Sequence, residues 1–274
     1  MTTLTKSKYI IGLQCPKYLW TIFHEKDKIP EASLADEFKF KQGDEVGQMA
    51  KNLFPDGIDL QVKDYKKNLE DSENALKKKK PLFEAGFEFK DCFSRADILF
   101  PNKDKWDIIE VKSGTQVKDV NIHDVSFQKY VYENKGIKIG KCFLMHLNNE
   151  YVRNGELNIK KLFIKEDITK EVEEHTEGIK ERIDEMLKII NSEKSPEVSI
   201  GSQCKDPYEC PVCHCCENLP ENHVFCLYRG GKLSCELYDN GVEAIKDIPD
   251  NIKLNDKQGI QRDCEIHKKV HVDK

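Results

Sequence analysis

Two carboxylates and an ammonium recur at a spacing that can do chemistry. Asp97 lies in the apolar run Arg95–Phe100, and Glu110 and Lys112 lie in the run Lys105–Lys112. The polar stretch Pro101-Asn102-Lys103-Asp104-Lys105 between the runs reads as the turn of a hairpin of buried strands. Glu110 and Lys112 are two apart in a strand, so their side chains share a face. An apolar face would be the cheaper solution, because isolated buried charges are costly. Charges at these positions suggest a divalent cation with a lysine beside it, suited to phosphodiester hydrolysis.

The tripeptide Glu-x-Lys carries little by itself. Glu88-Phe89-Lys90 and Glu133-Asn134-Lys135 match it too, and neither has an aspartate on a preceding antiparallel strand. Only the Glu110 copy is followed by Gln128 and Tyr132, which share one helical face at i and i+4. The alternative is a solvated hairpin with surface charges. The full constellation favours catalysis, because perturbed charges concentrate at functional sites.

Asp97, Glu110-Val111-Lys112 and Gln128-x-x-x-Tyr132 resemble the PD-(D/E)XK nuclease superfamily, the Gln-x-x-x-Tyr element being typical of its RecB-like branch. That branch includes the CRISPR-associated exonucleases. The likeness runs from about Ser7 to Cys216. It implies an α/β, restriction-endonuclease-like core with a central mixed sheet flanked by helices. It also implies DNA as substrate and a helicase or other DNA-processing protein as partner. Asp97, Glu110 and the Val111 carbonyl would hold Mg²⁺ or Mn²⁺, Lys112 would orient the attacking water, and Gln128 and Tyr132 would position the DNA backbone or brace Lys112. Family members usually place a histidine on an early helix. Here the segment Gly43-Asp44-Glu45-Val46-Gly47 offers only the acids Asp44 and Glu45; Glu45 is expected as the third metal ligand or, equally, as an exposed surface charge, with Glu84 in reserve.

The elements that must position these residues follow from patterning. Ser7 is expected to cap a short helix through Leu13, and Pro16 to sit at N1 of a second with Tyr18, Leu19 and Phe23 on its apolar face. Ser33 with Asp36 starts a long helix whose Val46, Met49, Ala50, Leu53 and Phe54 face the core. Its glycines, Gly43 and Gly47, suggest close approach of another element or a ligand. Residues 64–80 read as a solvated helix, and 81–89 as a strand leading into the hairpin. The Gln128 helix is followed by an apolar strand at 138–148, which predicts a helix packed on a sheet. Residues 150–167 read as irregular structure and a short strand, and 168–192 as one acidic amphipathic helix. Beyond Cys216 come weak strand and turn signals and a short helix near Lys257–Ile266.

Eleven cysteines without a signal-peptide pattern argue for thiolate–metal chemistry over disulfides, and for a cytoplasmic protein. Residues 204–216 read CKDPYECPVCHCC, and spacing alone suits zinc and an iron–sulfur cluster equally. The resemblance selects a 4Fe-4S cluster on Cys15, Cys204, Cys210 and Cys216, with Cys213 and Cys215 spare; Cys92, Cys142, Cys226, Cys235 and Cys264 are read as core or surface thiols. A nuclease domain over 1–217 with a small extension over 218–274 is expected. Family members often continue into a ribonuclease-H-like domain, and the chain is read as a standalone or a shortened version. The net charge of −5 disfavours a salt-insensitive grip on DNA, though Lys77–Lys80 and Lys160-Lys161 are local basic clusters. Two rivals to a nuclease are a catalytically weak DNA-binding subunit and a zinc-stabilised interaction module.

Overall fold

The computed structural model of the protein describes residues 3–62, 64–212, 216 and 219–272. It divides into two compact units, Met1–Pro196 and Glu197–Lys274, so the cysteine-rich segment falls in the second. Among the described residues no helix is long and apolar enough to cross a membrane.

The first unit opens with a two-residue strand β1 (Leu4–Thr5) and helices α1 (Lys6–Gln14) and α2 (Pro16–His24). Thr5, not Ser7, caps α1: its Oγ1 accepts from the Lys8 N–H at 3.4 Å. Pro16 stands at the start of α2, whose N-cap is Cys15, with Sγ accepting from the Tyr18 N–H. Helix α3 (Leu34–Lys51) starts on a full capping box between Ser33 and Asp36. Next come β2 (Ile58–Asp59), α4 (Tyr65–Leu76), β3 (Leu82–Phe89), β4 (Cys92–Asn102), β5 (Lys105–Lys112), α5 (Asp119–Asn134) and β6 (Ile139–Leu147). The unit closes with α6 (Ile159–Leu162), β7 (Phe163–Asp167), α7 (Thr169–Thr176) and α8 (Ile179–Ile190).

The strands form one mixed sheet in the order β2-β3-β4-β5-β6-β7, with β1 pairing parallel to β4 at Leu4↔Cys92. The β3–β4 and β4–β5 pairs are antiparallel, and β5–β6 is parallel. Both faces are covered, so the strands alternate between two cores. Leu82, Leu99, Ile108 and Leu144 pack with residues of α1, α2, α5, α7 and α8, while Phe83, Ile98, Ile109 and Met145 pack with Val46 and Ala50 of α3. Period-two geometry therefore puts Asp97 on the face of Leu99, and Glu110 and Lys112 on the face of Ile108, toward α5. This is the restriction-endonuclease-like α/β architecture.

Three further readings change. Helix α4 is not simply solvated: Asn68 and Ser72 are buried. Asn68 Nδ2 donates to the carbonyls of Leu60 and Glu84, and Ser72 Oγ accepts from the Gly86 N–H. Gly86 allows this, because a Cβ there would stand 1.9 Å from Asn68 Oδ1. The single helix expected over 168–192 is broken into α7 and α8 by Gly178, whose φ of 67° is left-handed. In the second unit the expected strand signals are replaced by 3-10 turns and helix α9 (Gly231–Asp239), followed by α10 (Asp256–His267). Val224, Leu227, Leu237, Ile245 and Ile248 form that unit's own small core.

Candidate active site

The β4–β5 ladder runs from Asn102↔Lys105 to Ile98↔Ile109 and stops one residue short of Asp97 and Glu110. Past that point the Val111 N–H donates to Asp97 Oδ2 at 2.7 Å. The strands thus open where the acidic residues begin, and β5 continues along β6 alone, with Glu110↔Leu144 and Lys112↔His146 in register.

Glu110 is the hub and is only 1% exposed. Its Oε1 accepts from Lys112 Nζ at 2.6 Å and from Lys6 Nζ at 2.8 Å, and its Oε2 accepts from Gln128 Nε2 at 2.7 Å. Lys112 Nζ donates also to Asp124 Oδ2 at 2.7 Å, and Gln128 Nε2 lies 3.3 Å from Asp124 Oδ1. Lys6 Nζ stands 3.8 Å from Asp97 Oδ1 and 4.0 Å from Asp124 Oδ1. Three carboxylates and two ammoniums therefore share one network.

The protonation states follow from this crowding. Burial acts to raise the Glu110 pKa, but Lys112 and Lys6 outweigh it and hold the carboxyl well below its usual range. Burial acts to lower Lys112, and Glu110 and Asp124 outweigh it, so its pKa is raised and the ammonium keeps its proton. Lys6 is raised likewise: Asp124, Glu110 and Asp97 overcome its desolvation. Asp97 goes the other way. Burial, then the neighbouring Glu110 charge, push its pKa up. A second carboxylate charge is tolerated poorly here without a further cation.

Lys6, Asp97, Glu110 and Lys112 line a cleft of about 680 Å³ whose other wall is α3. One stripe of that helix, Phe40, Gly43, Asp44, Gly47, Gln48 and Lys51, faces it. Glu45 is exposed and is absent from the lining, so the structure does not bring the expected third ligand to the network; its neighbour Asp44 lines the cleft instead. Among the described residues no other element approaches the α3 glycines: nothing lies within 4 Å of a Cβ built at Gly43 or Gly47, and both open on the cleft. Glu84, the reserve candidate, lines the cleft on β3, paired with Arg95 Nε at 3.0 Å and with Lys51 Nζ at 3.8 Å. Its φ of 57° is left-handed for a non-glycine residue, local strain of a kind that gathers at functional sites.

Tyr132 is fully buried, and its hydroxyl donates to the Ala85 carbonyl at 2.9 Å, tying α5 to β3. Reading the sequence missed Lys6 and Asp124. Asp124 had a signal, since it lies one turn before Gln128 on the same stripe of α5. Lys6 had none; only the β1–β4 pairing and the Thr5 cap deliver it.

Among the cysteines, Cys204 and Cys210 are buried and linked by a backbone hydrogen bond from Cys210 N to Cys204 O at 2.7 Å, and Cys216 is half-buried. Cys15 is buried in the first unit as the cap of α2. Cys213 and Cys215 lie outside the described residues.

No family model matches the chain, and no curated protein is significantly similar to it. Among solved structures it is similar to an alkaline exonuclease (LHK-Exo) from Laribacter hongkongensis, at 11% identity over 68% of this chain and 90% of that one, with a TM-score of 0.37. It is also similar to SSO0001, at 12% identity over 72% of this chain and 80% of that one, again with a TM-score of 0.37. Likenesses this loose carry no argument about function, which rests instead on the chain's own geometry.

Proposed function

We propose that the chain is a Mg²⁺- or Mn²⁺-dependent nuclease that hydrolyses DNA phosphodiesters, as the PD-(D/E)XK resemblance implies. One observation carries this reading: Asp97, Glu110 and Lys112 meet at the point where two strands part, in an open cleft, with Asp97 held short of a counter-cation. The donor set fits a hard divalent ion, because carboxylate and carbonyl oxygens are its preferred ligands. Asp97, Glu110 and the Val111 carbonyl would hold it, with Asp44 or Glu84 as further cleft-facing oxygen donors in place of Glu45. Such an ion, when bound, polarises a phosphoryl oxygen and lowers the pKa of water.

The remaining chemistry belongs to the chain. Lys112 keeps its proton, so it acts as a donor to the phosphate oxygens and not as the base. Asp124 accepts a second hydrogen bond from that ammonium, and Gln128 fixes Glu110 through Oε2. Lys6 must leave Glu110 for an ion to reach it, and its ammonium is then free to meet a phosphate. Phe40, 66% exposed on the cleft-facing stripe of α3, offers a ring on which an unpaired base can stack, which favours single-stranded or end-containing DNA. A helicase or another DNA-processing protein would supply such a strand.

For the cysteine-rich segment we retain the 4Fe-4S cluster on Cys15, Cys204, Cys210 and Cys216. Soft thiolates at buried and half-buried positions suit it, and they suit zinc as well. Brown protein with iron and sulfide supports the cluster, and colourless zinc-loaded protein replaces it with a zinc-stabilised module.

The catalytically weak DNA-binding subunit is favoured by one feature, the Lys6 ammonium seated on Glu110. End-labelled single-stranded DNA incubated with Mn²⁺ decides between them. The nuclease reading expects cleavage that Asp97→Ala and Lys112→Ala each abolish in a folded protein. Binding without cleavage, or cleavage that survives either substitution, removes it.

A further inference from the structure

Asp119, His123 and His175 form a second cluster on the first unit, whose purpose the cleft does not explain. Asp119 opens α5 and His123 follows one turn later, while His175 stands near the end of α7. One ligand atom from each lies within 4.8 Å of the others. The two helices pack together here, with Ser126 Oγ donating to the Val172 carbonyl at 3.3 Å.

Proton counting shows what the cluster lacks. His175 Nδ1 lies 2.9 Å from the Glu171 carbonyl, and its Nε2 lies 3.0 Å from Asp119 Oδ1. Both partners can only accept, whereas a neutral imidazole carries a single N–H. Once Nδ1 donates to Glu171, the Nε2 lone pair faces a carboxylate. Either the ring is an imidazolium, or a cation stands between ring and carboxylate. An Nδ1–H bonded to a backbone carbonyl is also the usual outer support of a metal-ligating histidine, because it fixes the tautomer and aims Nε2.

His123 favours the cation. Its ring meets that of His175 edge-on at 4.5 Å, and among the described residues neither ring nitrogen has a good hydrogen bond: Nδ1 is buried without a partner and Nε2 is 3.6 Å from Asp119 Oδ2. A second imidazole would add little to a plain His175–Asp119 pair. Around zinc, with bonds of about 2.0–2.2 Å, neighbouring tetrahedral ligands stand roughly 3.3–3.5 Å apart. The His175 Nε2–Asp119 Oδ1 and His123 Nε2–Asp119 Oδ2 separations, 3.0 and 3.6 Å, fall on either side of that value, each to its own carboxylate oxygen.

The geometry points to a divalent transition-metal site on Asp119, His123 and His175, with zinc as the ion and an open fourth position for water. Two imidazoles and one carboxylate suit zinc and not the hard ions the cleft would take. The site clips the first turn of α5 to α7. The following turns of α5 carry Asp124 and Gln128, so the clip steadies the helix that holds Lys112 and Glu110. The inference does not rest on the nuclease reading.

The test titrates Zn²⁺ into the full chain with ¹⁵N-labelled histidine and follows the ring nitrogens. Stoichiometric zinc should shift the Nε2 signals of His123 and His175 together while His175 keeps its Nδ1 proton. After gel filtration, His123→Gln and His175→Gln should each carry one zinc per chain fewer than wild type, with unchanged circular dichroism. The cysteine segment contributes equally to all three proteins and cancels. Either of two results overturns the site: His123 and His175 signals that ignore zinc, including a His175 doubly protonated throughout, or equal zinc content in wild type and both variants.

Discussion

Lys6→Met tests the electrostatics of the cleft most directly. Lys6 Nζ is 2.8 Å from Glu110 Oε1, 3.8 Å from Asp97 Oδ1 and 4.0 Å from Asp124 Oδ1. Without it, one ammonium, Lys112, faces three carboxylates. At an effective dielectric of ~20, unit charges about 4 Å apart attract by roughly 4 kcal/mol. Removing one partner of a buried pair costs about 3–5 kcal/mol. With the Lys6 side chain 23% exposed, the loss should be smaller, about 2–4 kcal/mol in the metal-free protein. Metal binding should move the other way, because an ion no longer has to displace an ammonium from Glu110. If about 1.4–2.8 kcal/mol of that displacement cost is recovered, Mn²⁺ binds about 10–100-fold more tightly. Urea unfolding in a chelator reads the first effect, and calorimetric titration with Mn²⁺ reads the second. Lys6→Arg keeps the charge and should show far less of either. A folded Lys6→Met protein that binds Mn²⁺ no better than wild type would refute the idea that Lys6 occupies the ion's place.

The other predictions concern single groups. Asp97→Asn should abolish cleavage yet stabilise the metal-free chain by about 1–3 kcal/mol at pH 8, because its raised pKa marks a carboxylate the fold disfavours. A raised acid binds its proton more tightly folded than unfolded, so wild-type stability falls as pH rises from the ordinary aspartate range through the folded value. The gap between variant and wild type should therefore widen with pH in thermal melts, and a constant gap would contradict the shift. Tyr132→Phe should cost about 1–2 kcal/mol, by stripping the Ala85 carbonyl of its donor, and leave cleavage per folded molecule nearly intact. Gln128→Ala, which frees Glu110 Oε2, should slow cleavage at least tenfold, by roughly 1.4 kcal/mol of barrier, and the reverse ranking would show that the hydroxyl acts in the reaction. Cys204→Ser should remove iron, sulfide and colour, whereas Cys92→Ser should remove none, since Cys92 is packed among the apolar side chains of the first unit's core, where burial pushes its thiol up to about 12. Loss of iron from Cys92→Ser would reassign the ligands.

What could be read from the sequence was set by how locally each role is specified. The β4–β5 hairpin was legible because alternating apolar residues and a polar turn lie within one short stretch, and Asp97, Glu110 and Lys112 inherit their common face from it. Helix α4 was misjudged because the residues that bury it are Asn68 and Ser72. Their value lies in hydrogen bonds to Leu60, Glu84 and Gly86, which no hydrophobic pattern announces. Gly178 was read through because its neighbours keep an amphipathic rhythm on both sides of the break. Asp124 was available in principle, since Asp124, Gln128 and Tyr132 make a single stripe at intervals of four along α5. Lys6 was not available. It meets Glu110 from 104 residues away, and it arrives through a strand of two residues, too short to show any period. The same physics explains both results. A charge whose partner shares its hairpin leaves a pattern in the sequence, whereas a charge delivered by the closing of the whole sheet is visible only in the network it completes.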